Sequence, residues 1–131
     1  MNRAEARVVI MTILYQIFIY ENNNIPYNKD DVIKENLTIS NDFVIEIVNG
    51  VLENIDKIDE LANKYLNNWN IKRLGVTDRA ILRMGIYELK YTTTPGIIAI
   101  NEAVELAKKY SDDKVKNMIN GVLDKVYHED N

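Results

Sequence analysis

The chain has no cysteine and a single histidine, His128. Disulfide staples, a thiolate nucleophile, thiolate zinc or iron–sulfur sites and any centre built from several imidazoles are therefore excluded. Glycine (5) and proline (2) are scarce in 131 residues, about half of the roughly 12 % that soluble proteins use on average. Tight turns are what all-β folds and glycine-rich phosphate loops are made from, and neither a Walker sequence nor GxGxxG occurs. No run of 18 apolar residues is present, and the apolar opening MNRAEARVVIMTILYQIFIYE is interrupted by Thr12, Tyr15 and Gln16 without a small-residue cleavage site. The expectation is a soluble cytoplasmic protein with no membrane partner. What is present, 47 % hydrophobic and 27 % charged residues, suits one ordinary core and is too short for two catalytic domains.

Charge is unevenly spread behind a formal total of −4. Residues 21–60 hold ten acids against three bases, residues 71–90 five bases against two acids, and residues 1–20 hold Arg3 and Arg7 against Glu5. Affinity for phosphates follows local cationic surface rather than the sum. The acidic middle reads most economically as solvated surface.

Hydrophobic spacing predicts helices throughout. Ala6, Val9, Ile10, Ile13, Leu14 and Ile17 make one stripe of a helix over about 2–20, and a short helix near 29–36 follows the connector NNNIPYNKDD. From Asn41 an apolar stripe runs through Val44, Ile47, Val51, Ile55, Ile58, Ala62, Tyr65 and Leu66 to Trp69. This exceeds an ordinary helix, so a bend is expected near Asn54–Asp59. Gly75 stops it, and Thr77 is expected to cap a helix to about Tyr91 with Asp78 in its first turn and one side, including Ile81 and Met84, turned inward. After TTTPG come a helix through Ala99, Ala103, Leu106 and Ala107 and a last one capped at Ser111–Asp113, whose stripe is Val115, Met118, Ile119, Val122, Leu123 and Val126. The expected fold is all-α, a compact bundle of six or seven helices in two small lobes, about 1–70 and 71–131.

Nothing in this pattern singles out a catalytic pair of carboxylates. Glu102 and Glu105 share a helix face but lack the Glu-x-x-His partners of a di-iron bundle, so the chain is read as a non-enzyme without cofactor or metal. Arg3 with Arg7, and Arg79 with Arg83, stand one helical turn apart. That spacing serves either neighbouring phosphates or surface pairs with acids, and periodicity leaves both open. Tyr15 reads as an interface or boundary-layer tyrosine, and Asn101 and Asn120 as groups that bond backbone or cap a turn, with ligand contact as the lesser alternative.

The stretches ARVVIMTILYQ, LGVTDRAILRMGIYEL, AINEAVELAKKY and NGVLDKV, in this order and spacing, resemble the NusB family of transcription antitermination factors over nearly the whole chain. The resemblance implies an all-helical, two-lobed, non-catalytic protein that binds boxA RNA with the ribosomal protein NusE. NusA, NusG and RNA polymerase then complete an assembly that makes transcription of ribosomal RNA operons processive. It implies RNA contacts at Arg3, Arg7, Arg83, Lys114, Asn117 and Met118, and a NusE-facing surface including Tyr15 and Asp78. The family's N-terminal arginine cluster is reduced here to two arginines separated by AEA. An alternative is a protein-only helical adaptor, or a homodimer that masks the RNA face.

Overall fold

The computed structural model describes residues 1–129. They form seven α-helices, α1 (Arg3–Asn22), α2 (Lys29–Glu35), α3 (Asp42–Glu53), α4 (Ile55–Tyr65), α5 (Val76–Tyr91), α6 (Gly96–Tyr110) and α7 (Asp113–His128), with one 3-10 turn at Ile71–Arg73 and no strand among the described residues. The all-α bundle expected from periodicity is what forms.

Asparagine does much of the local work. The side chains of Asn2, Asn28 and Asn41 accept from the backbone N–H of Glu5 (2.8 Å), Asp31 (3.0 Å) and Val44 (3.0 Å), capping α1, α2 and α3, while Asp112 caps α7 through Val115 N–H (2.8 Å). Each cap satisfies a donor that the first helical turn leaves orphaned. The acidic middle has a matching explanation, since Asp30 and Asp31 lie in the first turn of α2, Asp42 in that of α3 and Asp56 in that of α4. Carboxylates there meet the positive end of a helix dipole.

The long stripe from Asn41 breaks at Asn54, which ends α3 and begins α4 while its side-chain amide donates to the Gly50 carbonyl (2.8 Å). The stripe's far end differs from expectation. Helix α4 stops at Tyr65, so Trp69 belongs to a connector and stands 49 % exposed. Asn68 there adopts φ 62°, a left-handed conformation that asparagine tolerates better than most residues and that a helix cannot continue through. The cap of α5 also differs, being Gly75 without a side-chain bond, with Thr77 inside the helix. Asn101 and Asn120 are both exposed, on α6 and α7.

Helix α5 is the axis of the molecule. It packs against α1, α3, α4, α6 and α7, so every residue from Arg79 to Glu88 is buried. The single inward side expected of it is therefore an underestimate: five neighbours leave no solvent face over that stretch. Apolar positions of α1 such as Ile10, Ile13, Leu14 and Ile17 are fully buried in the same core, each contributing about 1.5–3 kcal/mol of transfer free energy. Close approach of α3 depends on Gly50, where an added Cβ would stand 2.1 Å from Cζ of Tyr87.

Candidate nucleic-acid interface

Burying the middle of α5 also buries its arginines. Arg83 lies under α4, where its Nε and Nη2 donate to the two carboxylate oxygens of Asp59, both at 2.8 Å, and its guanidinium stacks 4.6 Å from the Phe18 ring centroid. Arg79 donates from Nη1 to the Lys72 carbonyl (3.1 Å), leaving a buried Nε without a partner, and burial lowers its pKa with Arg83 adding to the effect. Across the bundle, Arg7 of α1 reaches Glu88: Nε is 3.1 and 3.2 Å from the carboxylate oxygens and Nη2 3.0 Å from Oε1. Glu102 stands 3.8 Å from its Nη1. Burial pushes the Glu88 carboxyl above its ordinary value, opposed by the hydrogen bonds and charge of Arg7.

These contacts correct the exposure expected of Arg7 and Arg83, which are only 5 % and 6 % exposed. The one-turn spacing of each arginine pair was right. One member of each pair, Arg7 and Arg83, is used for a tertiary ion pair to another helix, and Arg79 is buried against the Lys72 carbonyl. Arg3 differs, being exposed with its guanidinium 3.8 Å above the Phe43 ring centroid, close enough for a cation–π contact.

A second region opens at the other end of α5. The connector after α4 and the face of α7 enclose a groove of about 520 Å³. Its apolar walls are Leu66, Leu74, Val115, Met118 and Val122, with Tyr65 and Trp69 on the connector side. Arg73, Lys114 and Lys125 also line it, and Lys114 Nζ lies 5.9 Å from the Trp69 ring centroid. Two acids line the groove and both are engaged, Asp78 accepting from the Ser111 hydroxyl and Asp112 from Val115 N–H.

Of the expected contact residues, the groove gathers Lys114, Met118 and Asp78. Asn117 is exposed on α7. Tyr15 is exposed on α1 and is not part of the groove lining. Arg3 and Arg7 belong to the opposite end, because Glu88 is ten residues beyond Asp78 on α5, about 15 Å along a helix axis. Sequence reasoning missed Trp69 by assigning it to a helical stripe. The signal was present in NNWN, where Asn67, Asn68 and Asn70 surround the chain's one tryptophan with poor helix formers. Among the described residues, no group of three or more His, Cys, Asp or Glu is placed to hold a metal ion, and no helix is long and apolar enough to cross a membrane.

Comparison with known proteins gives this architecture a lineage. Residues 4–128 match the model of the NusB family. A transcription antitermination protein NusB of Campylobacter jejuni (strain RM1221) is 42 % identical over 126 residues, covering 94 % of this chain and 93 % of that protein. Among solved structures, the T. maritima NusB aligns with a TM-score of 0.87 at 30 % identity, over 98 % of this chain and 92 % of that one. A crystal structure of the antitermination factors NusB and NusE in complex with dsRNA aligns with a TM-score of 0.78 at 29 % identity, over 95 % of each chain. Sharing sequence and helical architecture with these proteins across almost its full length, the chain belongs to the NusB family of non-catalytic, RNA-binding transcription antitermination proteins.

Proposed function

We propose that this antitermination factor binds boxA RNA jointly with NusE and brings both to an elongation assembly with NusA, NusG and RNA polymerase, on ribosomal RNA operons. The observation that carries the reading is the alignment, over 95 % of each chain, with a family member crystallised with NusE and dsRNA. The exposed cations Arg3 and Lys114 serve as phosphate contacts, with Asn117 and Met118 beside Lys114 facing bases. Tyr15 and the Asp78 edge of the groove form the NusE-facing surface. Arg7 and Arg83 act through Glu88 and Asp59, fixing α1 and α4 on α5 so that the contact residues keep their places. Two weak contacts linked in one complex raise each other's effective concentration, and no catalytic step is required.

Titration of labelled boxA RNA with the protein, alone and with NusE, against a scrambled RNA tests this reading. Tighter binding to boxA than to the scramble, strengthened by NusE, is expected. Equal binding to both RNAs with and without NusE would remove it. A protein-only adaptor or homodimer is favoured by one observation, the withdrawal of Arg7, Arg79 and Arg83 from the surface. NusE binding without any boxA-dependent gain would support the adaptor, and concentration-dependent sedimentation that RNA does not disturb would support the dimer.

A further inference from the structure

We infer that Trp69 is a stacking platform for one unpaired RNA base, seated in the groove between the residue 66–75 connector and α7 with its flanking phosphates against Arg73, Lys114 and Lys125. The inference rests on the RNA-binding reading above but stands on separate observations. The first is the posture of the indole. It is 49 % exposed on a connector that is held at both sides rather than loose. The backbone N–H of Trp69 donates to the Leu66 carbonyl (3.2 Å), the Asn70 side chain accepts from the backbone N–H of Lys72 (2.9 Å), and the Asn63 side chain accepts from that of Ile71 (2.8 Å). A large apolar side chain is thus presented to solvent by a preorganised loop, which lowers the entropic cost of using it as a binding surface.

The second observation is the charge balance of the groove. Its acids, Asp78 and Asp112, already accept hydrogen bonds from Ser111 and Val115. Its cations Arg73, Lys114 and Lys125 are exposed and enter no ion pair among the described residues. An apolar floor, one aromatic face and three cations against two carboxylates, a net positive lining, complement a single strand, which offers a free base face next to phosphates. A regular duplex hides its base faces in the stack, and an apolar peptide would leave the cations without partners. Lys114 Nζ lies over the indole, 5.9 Å from the ring centroid, so a base stacking on that face displaces the ammonium group toward its flanking phosphate.

Because Trp69 is the chain's one tryptophan, its emission reports on this site alone. The experiment titrates the full chain with fluorescein-labelled single-stranded boxA RNA, with and without NusE. Anisotropy follows binding, and the emission of Trp69 follows stacking. Quenching in step with anisotropy is expected. Trp69→Ala should weaken binding about 5- to 150-fold, and Trp69→Phe should retain most of the affinity. Trp69→Phe should keep the wild-type denaturation midpoint, while Trp69→Ala, which gives up the buried half of the indole, is titrated well below its own midpoint. Normal RNA binding with unchanged emission and an unaltered Trp69→Ala affinity overturns the inference and leaves the RNA reading standing. Equal quenching by a blunt duplex, or an emission change produced by NusE alone and unaffected by RNA, also overturns it. No anisotropy change in any arm removes the RNA reading and the inference together.

Discussion

Buried and exposed cations occur at both ends of α5, with Arg79 buried at one and Arg3 exposed at the other, and the contrast between the two kinds is sharpest for Arg7 against Arg73 and Lys114. Near the C-terminus of α5 Arg7 is packed between helices and locked to Glu88, whereas at its N-terminus Arg73 and Lys114 stand exposed around a groove. Buried, a guanidinium is a structural part whose removal strands a carboxylate in the core. Exposed, an ammonium group costs little to remove and remains available to a ligand. The difference teaches that a basic residue in a family of RNA-binding proteins has to be sorted by the number of helices packed over it before it is assigned to RNA.

The sharpest way to break the comparison is Arg7→Ala. It leaves Glu88 buried and unpaired, so a loss of about 3–5 kcal/mol in unfolding free energy at neutral pH is expected, and adding Glu88→Gln should restore part of it. The pH dependence has a definite sign. A carboxyl with a raised folded pKa supports the fold below its unfolded pKa, and that support is lost as pH rises through the folded value. Arg7 opposes this in the wild type by favouring ionised Glu88. Without Arg7 the raised value climbs further, so the variant should lose stability more steeply than the wild type as pH rises from about 4.5. Urea midpoints between acid and neutral pH check this, and parallel profiles for the two proteins would mean that Glu88 is hydrated.

Arg83→Ala tests the same rule where the stranded partner is less deeply buried. The side chain of Asp59 is 15 % exposed against 4 % for Glu88, so it can recover more hydration. A loss of about 2–3 kcal/mol is expected, smaller than for Arg7→Ala. If the Arg83 variant is the less stable of the two, the ranking by burial fails.

How much of this was legible beforehand follows from the range of the forces involved. Caps and breaks are local, so the helices of α1, α3, α6 and α7 and the interruption at Asn54 could be read from spacing and asparagine placement. The Thr77 cap failed because Gly75 begins the helix without a side-chain bond. Burial of Arg7, Arg79 and Arg83 was illegible because it depends on Glu88, Asp59 and Lys72 arriving from distant positions and on five helices surrounding α5. At the groove, resemblance had named Lys114 and Met118 as RNA contacts and Asp78 as part of a separate protein-facing surface, while Trp69 was lost to a helical register that continued four residues past the real end of α4 at Tyr65.

Gly50→Ala sharpens the packing side of the comparison. Replacing a glycine inside an exposed helix gains about 1 kcal/mol from propensity. Here the new methyl would overlap the Tyr87 ring, itself 8 % exposed and stacked on Tyr91 with centroids 5.1 Å apart. Forcing that ring aside should reverse the sign, to a loss of about 1–3 kcal/mol. A raised thermal midpoint would mean that α3 and α5 separate freely.

Lys114→Ala and Arg3→Ala carry the smallest expected effect on the fold and the most specific one on binding. Both side chains are exposed, so stability should stay within about 0.5 kcal/mol of wild type. If each contacts one RNA phosphate, each substitution should reduce the slope of log affinity against log salt by about 0.7, the counterion release per phosphate of a single strand. Arg83→Ala, measured well below its own unfolding midpoint, should leave that slope unchanged, because its guanidinium is spent on Asp59. The slope therefore separates the two classes of cation even where all three variants lose some affinity. A slope that falls for Arg83→Ala but not for Lys114→Ala would show that the ion pair opens on RNA binding, and that the division between buried and exposed cations holds only for the free protein.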